Sequence, residues 1–161
     1  MKNEIIEIKA PNIITPNGNR NIFLAGTIDM GNSENWQKKF IDDINLKHMG
    51  GLNILNPRRE FWKSDWKQDF DDPNFYQQVN WELDAMEKSN FIFVNILPDS
   101  KSPVTMMEFG IHTKSDKLIV CCPKEFYRSG NIHIVCDKYY VPLFHDYDRA
   151  FDYLINKLNN K

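Results

Sequence analysis

The stretch "FIFVNILPDSKSPVTMMEFGIH", Phe91–His112, decides how this chain folds. Its first seven residues, FIFVNIL, are apolar almost throughout, the pattern of a strand covered on both faces. The polar segment PDSKS breaks the run, and Pro103 follows Ser102 as a first helical residue follows its N-cap. A buried strand passing straight into a helix is the repeating step of an α/β sheet. The helix also carries one carboxylate, Glu108, among the small and apolar side chains of SPVTMMEFG. Thr105 and His112 stand at i−3 and i+4 from it and so share its face. Glu108 lies past the capping positions, so compensating the helix dipole does not explain it.

The same alternation extends outward in both directions. Upstream, IFLAG (22–26) and LNILNP (52–57) read as strands, the first ending in glycine and the second closed by Pro57. Between them, Trp36, Phe40, Ile41, Ile44 and Met49 recur at helical spacing, and the glycine pair 50–51 ends that helix. DDP at 71–73 gives Asp72 as N-cap and Pro73 as first turn of a helix to about Lys88, with Phe75, Val79, Leu83 and Met86 on one face. Downstream, KLIVCCP is a fourth strand, NIHIVC and YYVPLF are shorter β candidates, and DYDRAFDYLINKL is a closing helix. EIIEIKA, within an N-terminal extension 1–20, alternates as an edge strand does. The expectation is a single domain over 1–161: a flavodoxin-like three-layer α/β sandwich with a mostly parallel five-stranded sheet.

Composition narrows the function. A net charge of −2 with no basic block argues against a nucleic-acid polymer or an anionic membrane as partner. No apolar run approaches the roughly 18 residues of a membrane helix, and the acidic N-terminus lacks a signal-peptide core. Cys121, Cys122 and Cys136 are odd in number, with two adjacent in a strand, which fits reduced thiols in a cytoplasm. Neither CxxC nor HxxxH spacing occurs, so no metal site is expected, and the four histidines receive no role.

In sheets of this kind ligands bind beyond the carboxyl ends of the strands. That selects GTIDMG, NPRREFW, LPDSKSP and PKEFYRSG as pocket loops. Gly26 would let a ligand approach the backbone closely, or simply turn the chain. GTIDMG is not GxGxxG and lacks a P-loop lysine. An anion would suit the start of the Pro103 helix, beside Ser102 and Thr105, although capping alone also explains Ser-Pro. With Leu83 and Met86 supplying the core contacts, Glu82 and Asp84 on the preceding helix cannot both point the same way, and one of them near the pocket would complete a two-carboxylate arrangement. Residues 58–72 form a long aromatic and charged loop of the functional or mobile kind.

Taken together, FLAGTID, LNPRR, QVNWELDAM, FIFVNILPDSKSPVTMMEFG and GNIHIVCDKYYVPLF resemble the nucleoside 2-deoxyribosyltransferase-like superfamily over nearly all of residues 20–161, closest to a divergent branch with an SPVT-type segment. The resemblance implies cleavage of the N-glycosidic bond of 2′-deoxyribonucleosides through a covalent glutamyl-deoxyribosyl intermediate, and sugar transfer to another base, as in nucleotide salvage. It places the nucleophile on Glu108 and the carboxylate that handles the base on Glu82. It makes Gly26, Thr27 and Asp29 the floor of the site, with Asn56 and Arg58 reaching base or phosphate. Trp36, Trp62 and Trp81 become stacking candidates, each equally a core or interface residue. Transferases of this kind carry an aspartate six residues before the nucleophile. Here that position is Ser102, as in related 2′-deoxynucleoside 5′-monophosphate N-hydrolases, with Asp99 as a substitute carboxylate. Transfer and hydrolysis, nucleoside and nucleotide, therefore stay open, as does a binding or sensing module without catalysis. The resemblance further implies no cofactor, a homo-oligomer, and a nucleoside or nucleotide plus a free base as partners.

Overall fold

In a computed structural model describing residues 4–61, 63 and 65–160, strands and helices alternate along the chain. β1 (Ile5–Lys9) and β2 (Arg20–Gly26) precede a 3-10 turn at Asp29–Gly31 and α1 (Trp36–Lys47). β3 (Leu52–Asn56), α2 (Pro73–Lys88), β4 (Phe91–Asn95) and α3 (Pro103–His112) follow. β5 (Leu118–Cys121), α4 (Ser129–Tyr139), β6 (Leu143–Phe144) and α5 (Tyr147–Asn159) complete the order. The strands form a sheet in the order β1-β3-β2-β4-β5-β6. Setting β1 aside, this is the 2-1-3-4-5 order of the flavodoxin-like folds. The expected five strands are present, and the alternating N-terminal segment adds a sixth at the edge.

The chain divides into two compact units, Met1–Leu24 with Met30–Asn90, and Ala25–Asp29 with Phe91–Lys161. In the first, β1 and β2 both pair in parallel with β3. Asn21 faces Asn53 across β2 and β3. The buried Asn53 amide donates 2.8 Å bonds to Asn17 Oδ1 and to Asn21 Oδ1, and accepts one from Asn17 Nδ2 at 2.9 Å. A buried amide costs stability unless bonded, so this trio fixes the register: a one-residue slip would strand it. Trp36, Phe40 and Ile44 put one face of α1 in the core. Met49 is exposed, because the chain leaves the helix at His48 in extended conformation. The glycines that follow leave room for side chains: a Cβ on Gly51 would stand 2.5 Å from Asn19 Oδ1, which would have to shift.

Asp72 caps α2 as expected, its carboxylate accepting the N–H groups of Asn74 and Phe75. Those amides, with that of Lys67, hold the carboxyl below the usual aspartate range. The buried face is Gln78, Trp81, Ala85 and Met86, and Leu83 is exposed. The apolar residues alone therefore misplace the face by part of a turn, because Gln78 is buried for its hydrogen bonds.

In the second unit β5 pairs in parallel with β4 and β6. Phe93, Val94 and Val120 are fully buried, as doubly covered strands require. NIHIVC is not a strand. It lies in α4, where Ile132 and Cys136 are buried at i, i+4 and Ile134 faces solvent. YYVPLF contributes only Leu143–Phe144 as strand. Tyr140 ends α4 in the left-handed conformation, and the Pro142 carbonyl accepts from Val120 N.

Candidate active site

α3 buries three polar side chains alongside one apolar one, Phe109. Thr105, Glu108 and His112 are only 4%, 7% and 4% exposed, while Val104, Met107 and Ile111 stay 52%, 55% and 54% exposed. A helix that merely covered a sheet would turn its apolar residues inward. Burying a carboxylate is costly unless it is bonded, and this chain places its carboxylate on the inner face of α3. The expected shared face of Thr105, Glu108 and His112 is thus present and buried.

Ser102 initiates α3 in the left-handed conformation, at φ 45°, and its side chain makes no capping bond. Its hydroxyl instead lies 2.6 Å from Thr27 Oγ1 and 2.8 Å from Ser100 Oγ. Thr27 Oγ1 donates to Ser100 Oγ at 3.0 Å and accepts Leu97 N at 3.1 Å, and Ser100 Oγ donates to the Leu97 carbonyl at 2.8 Å. The three hydroxyl protons are then all used when Ser102 donates to Thr27. Thr27 N also bonds the Asn95 carbonyl at the end of β4. Gly26 precedes this hub at φ 150°, backbone that favours glycine. Asp29 (φ 49°) and Asp99 are exposed, Asp99 on a turn.

The first unit holds the other candidates. Glu82 is half-buried and Asp84 exposed, which separates the two acids on α2. Gln78 Nε2 donates to Glu82 Oε1 at 2.7 Å and to the Pro57 carbonyl at 2.9 Å. Gln78 Oε1 accepts Arg59 Nε. The Arg59 guanidinium also bonds Gln77 and lies 4.7 Å over the Trp66 ring. Burial lowers the pKa of Arg59, and the charge of Glu82 opposes that shift.

Asn56, at the end of β3, donates to Glu7 Oε1 at 2.8 Å and accepts Arg58 N at 3.0 Å. Arg58 Nη1 reaches the Glu34 carbonyl and Gln37 Oε1, and Nη2 reaches the carbonyls of Gly31 and Ser33 at 2.9 and 2.8 Å. Of five guanidinium N–H groups, only that on Nε lies outside this clamp. Burial lowers the Arg58 pKa. Arg58 and Asn56 line a polar groove of about 650 Å³ with Glu7, Lys9, Asn35 and Lys38.

The expected aromatic platform is less open. Trp36 is buried in the core of the first unit. Trp81 is also buried, its Nε1 donating to the Asn12 carbonyl and its ring 6.5 Å from Phe23. Neither presents an open ring face for a base, and Trp62 lies outside the described residues. A smaller cavity of about 250 Å³, lined by Phe91, Tyr139, Tyr140, Tyr153, Lys117 and Lys157, includes none of the candidate residues.

The thiols supply no nucleophile. Burial pushes Cys121 and Cys136 up to about 12 and Cys122 to about 11, so all three are protonated at neutral pH. Among the described residues no group of three or more His, Cys, Asp or Glu side chains is placed to hold a metal ion. Gln78, Arg59 and Ser100 escaped the sequence reading. The i, i+4 spacing of Gln78 and Glu82 on a helix was the signal that could have found the first.

A family model described as "Nucleoside 2-deoxyribosyltransferase like" matches residues 19–126 of the 161-residue chain. The chain belongs to this nucleoside 2-deoxyribosyltransferase-like family. The matched range of the nucleoside 2-deoxyribosyltransferase-like family contains Glu82, Glu108 and every other candidate site residue, and it stops before α4, β6 and α5. A comparison with curated proteins gives no match.

Proposed function

We propose that this chain is a nucleoside 2-deoxyribosyltransferase acting by double displacement. A Glu108 carboxylate oxygen attacks C1′ of a 2′-deoxyribonucleoside. The C1′–N bond breaks, its electron pair leaves with the base, and the base nitrogen takes a proton from Glu82. The resulting glutamyl-deoxyribosyl ester is attacked by a second base, which gives up its proton to Glu82 as Glu108 departs. Two inversions give net retention, as in retaining glycosidases.

The observation that carries this reading is the inward turn of Glu108, buried with Thr105 and His112 beside Phe109, while Val104, Met107 and Ile111 of the same helix stay exposed. A family fold does not by itself supply chemistry. A buried carboxylate on a polar inner face is what a nucleophile aimed at a sugar requires. The hydroxyl hub of Thr27, Ser100 and Ser102 supports the segment that precedes it.

The left-handed, non-capping Ser102 favours one second reading, hydrolysis of a 2′-deoxynucleoside 5′-monophosphate. Without a side-chain cap, the first turn of α3 keeps backbone N–H groups for a phosphate. One incubation separates the readings: a deoxynucleoside, its 5′-monophosphate and a different free base, with the products resolved by chromatography. The new deoxynucleoside supports transfer, and free base released only from the monophosphate supports hydrolysis. Saturable binding without turnover means a sensing module.

We further assign the chain to the cytoplasm, in line with its reduced, buried cysteines. No helix among the described residues is long and apolar enough to cross a membrane. A homo-oligomer formed through Val104, Met107 and Ile111 would cover the exposed stripe of α3. Met107→Lys should then shift the sedimenting species toward monomer, and an unchanged sedimentation profile would remove this face from the interface.

A further inference from the structure

We infer that Gln78 is a positioning residue: its amide donates to Glu82 and holds that carboxylate in one orientation through both proton transfers with the base. This inference rests on the acid–base role of Glu82 proposed above, and the experiment below separates the two.

Gln78 is 2% exposed, and its whole hydrogen-bonding capacity is directed. The amide has two N–H donors and one oxygen. The Pro57 carbonyl, a backbone acceptor at the end of β3, takes one N–H at 2.9 Å. That acceptor sets which way round the amide lies, so the oxygen turns to Arg59 Nε and the second N–H to Glu82 Oε1, 2.7 Å away. Arg59 confirms the orientation, since a guanidinium only donates. A flipped amide would set two donors against each other there and leave the Pro57 carbonyl facing an oxygen.

The consequence lies in how Glu82 is held. Oε1 faces a fixed N–H donor, which restrains rotation of the carboxylate. A carboxyl group that alternates between acid and base must present the same oxygen, at the same angle, in both half-reactions. Gln78 supplies that constancy from one turn earlier on the same helix, anchored to a strand end. Arg59 closes the network from the aromatic loop, where its guanidinium is stacked over Trp66. Loop order and carboxylate geometry are therefore connected through one amide.

The test uses two substrates on the full-length chain: a natural deoxynucleoside, whose base must be protonated to leave, and a 4-nitrophenyl 2-deoxyriboside, whose leaving group needs no proton. General acid catalysis contributes roughly 10²–10⁴-fold. Gln78→Met, similar in shape but without donors, should lower kcat on the deoxynucleoside by about tenfold or more with KM nearly unchanged. On the nitrophenyl substrate it should retain activity within about threefold, the same selective loss that Glu82→Gln shows in greater degree. Equal losses on both substrates, or none on either, would overturn the positioning role. If Gln78→Met does not fold, Gln78→Asn, one methylene shorter, withdraws the amide from Glu82 without adding charge and reads the same ratio. A wild-type chain inactive on both substrates contradicts the proposed function itself. A wild-type chain active on both, with Glu82→Gln showing the selective loss and Gln78→Met not, contradicts only this inference.

Discussion

The hydroxyl oxygens of Thr27 and Ser102 stand 2.6 Å apart, joining the end of β2 to the start of α3 across 75 positions of sequence. Thr27 is buried and is the point on which Ser100, Ser102 and the Leu97 N–H converge. Thr27→Val keeps the shape and removes the hydrogen bonds. The expected cost is about 1–3 kcal/mol, because Leu97 N–H is left without its acceptor. Urea unfolding should show a lower midpoint at constant slope, and an unchanged midpoint would mean that the hub contributes nothing to stability.

Arg58 was expected to reach base or phosphate, yet four of its N–H groups hold the segment before and within the first turn of α1. Lysine cannot reproduce a planar fork. Arg58→Lys should therefore destabilise the chain by roughly 1.5–3 kcal/mol and speed amide exchange over residues 31–37. Lost substrate affinity at full stability and unchanged exchange would restore Arg58 to substrate binding.

The buried thiols predict a loss of stability in alkali. Their folded pKa values, about 11 to 12, lie above the ordinary value of 9.0. Above about pH 9 the unfolded chain ionises its thiols and the folded chain does not, so protons are bound preferentially by the folded state. Their contribution is complete below pH 9 and declines as pH rises toward the folded values. Melting temperatures from pH 7 to 11 should fall more steeply for the wild type than for a chain with all three cysteines changed to alanine. Parallel curves would contradict this.

How much the sequence disclosed depends on what each residue was doing. β4 and α3 were legible because an unbroken apolar run, a proline at the first helical turn and an isolated carboxylate are each local signals. α4 was not, because I-H-I-V imitates a two-residue period. The decisive pair, Ile132 and Cys136, is at helical spacing, but its burial comes from tertiary packing. Ser102 reads as a cap from its neighbour Pro103, and only the structure shows its hydroxyl turned to Thr27. Trp36 and Trp81 were ambiguous in the sequence between stacking and core, and their burial favours the core. Glu108 was recognisable by contrast with its neighbours, whereas the role of Gln78 needed the carbonyl of Pro57, a backbone atom no side-chain pattern displays.

The central claim is that Glu108 forms a bond to the sugar, and base exchange in a Glu108 variant tests it most directly. Glu108→Gln preserves the size and burial of the side chain but removes the carboxylate nucleophile. The account predicts that wild-type protein incubated with a deoxynucleoside and a second base yields the exchanged deoxynucleoside, while Glu108→Gln, with an unaltered circular dichroism spectrum, exchanges at least about 10³-fold more slowly. Exchange at the wild-type rate by folded Glu108→Gln protein would contradict it.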